Sequence, residues 1–366
     1  MKITFLELEG TGRQLGRAHG EALKDSITTL YEKYMDCIVK QAYISTTEEE
    51  LLGLAMRNYE FARDYAPDLL EEMLGIADGS GLAVEKIMFL HCLGEGLDLA
   101  FPQPASSLLK GPFFASPGCT AFGALGKATS DGHVLVGQNF DLQGDPYDHA
   151  VLLKIKKPET TLLLLTLAGV IGCEGLSSHK LAVVVNKLIA RDVRAGVPYT
   201  FVVRRALEQK NLVEALWQIM TAERAAGTNY LLADSSVIIN IETTACYFDV
   251  LPMPDNIISH ANHYKSSCLK EYDGMDRILA DSFVRDAAMY NGIKNSYGQI
   301  DVPKAQQLLA DHSSGYPYSI CNHPAENVPY YRAHQTIASM ICAPADLKAW
   351  VCWGNPCQRE YEEYSL

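Results

Sequence analysis

The sequence predicts an α+β layered domain, with two sheets and helices outside them. Three observations carry this. Apolar residues recur at helical spacing from residue 13 to about 95. From Cys119 the chain turns to short apolar runs divided by turn signals. Thereafter strands, helices, strands, helices and strands follow in blocks, the order of an α+β fold. The 366 residues, 48% hydrophobic and 20% charged, supply ample core for this.

In the first region, "GRQLGRAHGEALKDSITTLYEKYMDCIVKQ" reads as one helix. "TTEEELLGLAMRNYEFARDY" opens on an N-terminal capping signature, and Pro67 breaks it. "PDLLEEMLGIADGSGL" is a further helix with a glycine-rich stop. Pro102, Pro104, Pro112 and Pro117 punctuate residues 97–118, which read as an exposed linker and a place where the chain can be cut. Then "TAFGAL", "GHVLVGQNFD", "HAVLLKIKK", "TTLLLLTLAG" and "KLAVVVNKLI" read as strands. "PYTFVVRRALEQK" and "NLVEALWQIMTAERAA" read as helices, followed by the strands "TNYLLADSS", "VIINIETT", "CYFDVLP" and "NIISHANHY". A long helix over roughly 274–292 and a short one, "VPKAQQLLADH", precede a terminal strand-turn-strand, "QTIASMICAPADLKAWVCWGNP". There is no internal repeat and no low-complexity segment.

The net charge of −13 and the pI of about 5.2, without a basic cluster, argue against nucleic-acid binding and a polybasic membrane anchor. "MKITFLELEGTGRQ" is too short in apolar residues for a signal peptide, and no apolar run is long enough to span a membrane, so a cytoplasmic protein is expected. The ten cysteines are scattered, contain no CxxC pair and read as reduced residues. Cys352 and Cys357 are the closest pair and read as a strand followed by a turn, with no metal expected. Motifs for dinucleotides and P-loop phosphate binding are absent, and no cofactor is expected.

The chemistry concentrates at "SPGCTAFGALG". Pro117 fixes its own φ and pushes Ser116 towards extended geometry, and Gly118 is free to take φ values closed to other residues. Cys119 therefore starts a strand after a tight turn. A cysteine nucleophile needs a base or a lowered pKa, and a helix N-terminus does not suit this placement. Breaking the Gly118–Cys119 bond would give Cys119 a free α-amine, which titrates near about 7.7–8.0 and can act as the base. An N-to-S acyl shift followed by hydrolysis would make that cut.

"GCTAFGALGKATSDGHVLVGQNFDL" resembles the processing site of the acyl-coenzyme A:6-aminopenicillanate acyltransferase family, the C45 family of N-terminal-nucleophile (Ntn) hydrolases. The resemblance extends to "GTGRQLGRAHGEAL", "HANHYKSS", "LLADHSSGYPYSICNH" and the C-terminal segment. It implies a four-layer αββα sandwich, cut before Cys119 into an α chain (1–118) and a β chain (119–366) that stay together as a heterodimer in one compact domain. It implies Cys119 as nucleophile and Asp141 as the carboxylate that orients the new α-amine. It implies Asn262 as an oxyanion donor. For the family's site arginine, Arg332 in "YYRAHQTIAS" is the better match and Arg285 in "DSFVRDAAM" its competitor. Thr120 and Asn186 are expected to line the pocket. His260 and His263 flank Asn262 without a third ligand at suitable spacing. The substrate implied is a small acyl amide or amine, with the acyl group passing through a thioester to water or an amine, and acyl-CoA allowed as co-substrate. Two alternatives stay open: an unprocessed cysteine peptidase or amidase, and a catalytically silent binding protein of the same fold. A zinc enzyme using the scattered histidines ranks below both.

Overall fold

A computed structural model describes residues 2–41, 46–93, 118–143, 147–274, 280–326 and 333–366. The chain opens on a strand, β1 (Thr4–Glu9), that the sequence reading did not anticipate. Only Leu8 is buried along it, so alternation is faint, and it adds parallel to the edge of a sheet through Thr4↔Val151. The helical region follows: α1 (Gly12–Ala22), α2 (Lys24–Gln41), α3 (Glu48–Met56), α4 (Tyr59–Tyr65), α5 (Pro67–Ser80) and α6 (Val84–His91). The expected first helix breaks at Leu23, which leaves helical geometry. The second splits at Asn58, whose side chain donates to the Ala55 carbonyl and accepts from the Gly196 N–H. The expected capping box forms: Glu50 N–H donates to Thr47 Oγ1 at 3.2 Å, and Thr47 N–H to Glu50 Oε2 at 2.9 Å. The four-residue glycine spacing in α1 lets it lie against α5, because a Cβ at Gly16 would collide with the Glu72 carbonyl.

The second region supplies β2 (Cys119–Ala124), β3 (Leu135–Gln143), β4 (Ala150–Lys156), β5 (Thr161–Leu167), β6 (Glu174–Ser177) and β7 (Ala182–Leu188). Next come α7 (Tyr199–Leu207), α8 (Leu212–Thr221), β8 (Gly227–Ala233), β9 (Ile238–Thr243), β10 (Phe248–Leu251) and β11 (Ile257–His260). The chain closes on α9 (Asp281–Asn295), α10 (Val302–Leu309), β12 (His334–Ala343), β13 (Lys348–Trp353) and β14 (Glu362–Ser365). The short strands β6 and β14 went unanticipated, and the long helix starts later than expected. The 97–117 linker reading lies outside the described residues.

One sheet has eight strands in the order β1-β4-β5-β6-β7-β8-β9-β10, and the other six in the order β11-β2-β3-β12-β13-β14. The sheets face each other where β2 and β3 pack on β7. Helices α7 and α8 cover the eight-stranded sheet, and α9 and α10 cover β2, β3, β11 and β12 of the other. The result is the four-layer αββα sandwich. The helical region is tied to this core by a buried ion pair: both Arg204 Nη atoms, on α7, donate to Glu72, on α5, at 2.9 Å. Among the described residues, no helix is long and apolar enough to cross a membrane.

Candidate active site

Strand pairing places the site. Cys119 begins β2, which runs between β3 and β11. Cys119 is opposite Phe140, so Asp141 falls beside Gly118. On the other flank His260 is opposite Ala121, and two residues further the chain brings Asn262 level with Cys119. The two candidates thus bracket the Gly118–Cys119 peptide bond.

That bond is held on both atoms. The Cys119 N–H donates to Asn262 Oδ1 at 2.9 Å, and the Asp141 N–H donates to the Gly118 carbonyl at 2.9 Å. The Asp141 carboxylate accepts from the Thr336 hydroxyl at 2.7 Å through Oδ1, while Oδ2 is buried with no hydrogen-bond partner among the described residues. This Oδ2 lies 3.3 Å from where a Cβ on Gly118 would stand, so it borders the bond. Burial pushes the Asp141 carboxyl up to about 7, against the pull of Arg285 and the Thr336 hydroxyl. Burial, and next the nearby Asp141 charge, push the Cys119 thiol far above its ordinary value. The thiol is therefore protonated at neutral pH and needs a base.

Arg285, on α9, is buried and converges on the same point. Its Nη1 donates to the Cys119 carbonyl and to Thr120 Oγ1, each at 2.8 Å, and its Nη2 to Asn262 Oδ1 at 3.0 Å. Its Nε donates to Asp281 Oδ2 at 2.9 Å, which balances the buried charge. Arg332, the better match in the sequence, lies outside the described residues.

With the Cys119 N–H and Arg285 both pointing donors at it, Asn262 presents its oxygen to the bond, and its Nδ2, a double donor, gives one hydrogen to the Lys187 carbonyl at 3.2 Å. Asn186 does not line the pocket. Its neighbours Val185 and Lys187 do, and strand alternation turns Asn186 the other way, onto Asn229 Nδ2 and the His260 carbonyl. Thr120 is taken up by Arg285. His260 spends its ring on Glu242 and the Ala261 carbonyl, and His263 on Ser282. Sequence reasoning missed Thr336 and Ser282, the latter holding the Asn262 N–H at 2.8 Å. Thr336 is paired to Asp141 across β12 and β3, a register that no local pattern announces.

A pocket opens at Cys119. Its walls are Tyr34 and Ile38 of α2, Leu90 of α6, Phe140 and Leu142 of β3, Val185 and Lys187 of β7, and Tyr199 of α7. Its walls are mostly apolar.

The family model for acyl-coenzyme A:6-aminopenicillanic acid acyl-transferase matches residues 128–358. The chain belongs to this acyl-transferase family. It is thus an enzyme, and the coarse chemistry of the family is acyl transfer or hydrolysis at an amide. The matched span contains Asp141, Asn262 and Arg285 and begins after Cys119. The 40 kDa form of this acyltransferase from Emericella nidulans is 25% identical over 95% of the chain and 92% of its own length. Protein dcd1A of Dictyostelium discoideum is 26% identical over 86% of the chain and 74% of its own. An uncharacterized protein of Archaeoglobus fulgidus is 23% identical over 96% of the chain, which spans 63% of that relative. Among solved structures, a Caenorhabditis elegans N-acylethanolamine-hydrolyzing acid amidase ortholog has a TM-score of 0.43 at 15% identity, over 62% of this chain and 93% of its own.

Proposed function

We propose that the chain is an autoprocessing N-terminal-cysteine amidohydrolase or acyltransferase, acting on a small amide with an apolar acyl group. The observation that carries this is the clasp on the Gly118–Cys119 bond. The Asp141 N–H polarises the carbonyl to be attacked, and Asn262 and Arg285 fix the residue that attacks. In the cut, Cys119 Sγ loses its proton and bonds to the Gly118 carbonyl carbon. The C–N bond breaks, and the departing nitrogen takes a proton to become the α-amine of Cys119. Water then splits the thioester, leaving a Gly118 carboxylate and a free thiol. Asp141 Oδ2, which has no hydrogen-bond partner among the described residues, is positioned to receive the new α-ammonium.

The mature site then repeats the chemistry on substrate. The α-amine takes the thiol proton, Sγ attacks the amide carbonyl, and the leaving amine departs with that proton. Water or an acceptor amine releases the acyl group from the thioester. An acyl-CoA donor would load the same sulfur, with the coenzyme A thiol as leaving group. The apolar pocket walls suit the acyl part. Arg204 and Glu72 would keep the two chains together as a heterodimer. All ten cysteines are free of disulfides, which fits a reducing, cytoplasmic compartment.

The test is to trap the intermediate. Mixed with a panel of acyl amides and acyl-CoA esters and quenched in acid, the fragment beginning at Cys119 should gain the mass of the acyl group, and hydroxylamine should remove it. Turnover without a hydroxylamine-sensitive adduct would contradict the thioester route.

A further inference from the structure

A second cluster of cysteine and histidine stands apart from the residues around Cys119. His312 follows α10, Cys321 and His323 lie on the loop before β12, and Cys357 lies in the turn after β13. Their ligating atoms all fall within 4.8 Å of one another. His312 Nε2 and His323 Nε2 are 3.1 Å apart, and Cys321 Sγ and Cys357 Sγ 3.5 Å. His323 Nε2 is 3.5 Å from Cys321 Sγ and 3.3 Å from Cys357 Sγ. A tetrahedral Zn²⁺, with bonds of about 2.3 Å to sulfur and about 2.0–2.1 Å to nitrogen, spaces its ligands at about 3.8 Å (S to S), about 3.5 Å (S to N) and about 3.3 Å (N to N). These four separations agree with those values to within about 0.3 Å, and the two remaining pairs, His312 with each cysteine, fall within 4.8 Å. The sulfurs are too far apart for a disulfide, which needs about 2.05 Å. Without an ion these groups hydrogen-bond to one another; a cation would take the place of the shared protons.

We propose that His312, Cys321, His323 and Cys357 bind a structural Zn²⁺. Four protein ligands close the coordination sphere, which marks a structural site rather than a catalytic one. The ligands are also held independently of the ion. The Cys321 N–H donates to the Asp311 carbonyl, and the His323 N–H to the Pro317 carbonyl, both at 3.1 Å. Asn355 Nδ2 donates to the Asn322 carbonyl at 2.7 Å and reaches Cys321 Sγ at 3.5 Å, the kind of N–H to sulfur contact that supports a bound thiolate. The ion would staple the loop before β12 to the C-terminal segment. Asn322, between two of the ligands, donates its N–H to Thr336 Oγ1 at 2.9 Å, and Thr336 holds Asp141. The staple therefore backs the arm that positions the carboxylate of the active site.

Metal content tests this independently of processing, because it is read equally on a Cys119→Ala chain. Protein produced with zinc in the medium and purified without chelators should carry one zinc per chain by elemental analysis. Exchange into cobalt should give the visible bands of a tetrahedral, thiolate-ligated ion. The paired change Cys321→Ser and Cys357→Ser should lose both signals, and Cys246→Ser with Cys268→Ser should keep them. Wild-type protein that holds no metal and takes up no cobalt would overturn the proposal. So would a Cys321–Cys357 disulfide, seen as a cross-linked peptide in a non-reducing digest. Stoichiometric iron would overturn the choice of ion.

Discussion

Cys119 and Cys321 are both buried, and Thr336 joins their neighbourhoods by holding Asp141 on one side and the Asn322 N–H on the other, yet their surroundings are opposite. Around Cys119 the Asp141 N–H holds the Gly118 carbonyl, Asn262 Oδ1 accepts from the Cys119 N–H, and the Arg285 guanidinium donates to the Cys119 carbonyl. These groups bracket the Gly118–Cys119 bond. Cys321 faces a second sulfur and two imidazoles, with the donors that hold it placed behind. The same residue type is set up in one case to react and in the other to be held. What distinguishes them is the partner set, not burial.

Exchanging residues between these roles breaks the comparison most sharply at the nucleophile. Cys119→Ala should abolish chain cleavage and turnover while leaving metal content intact, as read by gel mobility and elemental analysis together. Arg285→Gln should come next. It removes donors to the Cys119 carbonyl and to Asn262, and cleavage should slow by about 10²–10³-fold, the size of effect seen when a transition-state donor is lost. Circular dichroism should show the variant folded.

Asp141 provides a pH handle on the reactive site. It titrates near about 3.9 when unfolded and at about 7 in the folded, uncleaved chain. Below the lower value both states hold the proton, and its contribution to stability is fully present. As pH rises from about 4 to 7 the unfolded chain gives up the proton first, so the folded state loses stability, by on the order of 4 kcal/mol at most. Urea unfolding of the Cys119→Ala chain should show this decline, and adding Asp141→Asn should flatten it. Equal slopes in the two would contradict the raised carboxyl. Smaller still, Thr336→Val should slow cleavage by about tenfold, because one hydrogen bond to a charged group is lost. Serine at both Cys321 and Cys357 should have the least effect on cleavage, less than about tenfold, while lowering Tm by several degrees.

The sequence made the reactive site legible for a physical reason. The Ser-Pro-Gly turn before Cys119 and the "GQNFD" strand carry their information in contiguous residues, and β2 and β3 are neighbours in the chain. Strand and helix blocks were legible through periodicity, which is also local. Three things were not. The β1 strand pairs with a partner far along the chain and shows little alternation. Asn186 reads as a pocket residue only until the register decides which side of β7 it faces. The four ligands come from three segments that only the fold assembles, and the cysteine nearest Cys357 in sequence, Cys352, points its Sγ to the Gly354 carbonyl.

If the clasp on the Gly118–Cys119 bond serves to cut it, the intact mass of freshly purified, denatured protein, with N-terminal sequencing of its fragments, will show it. The 366 residues should divide into chains of 118 and 248, the second beginning Cys-Thr-Ala-Phe. A single chain of full mass, stable for days at neutral pH, would contradict it.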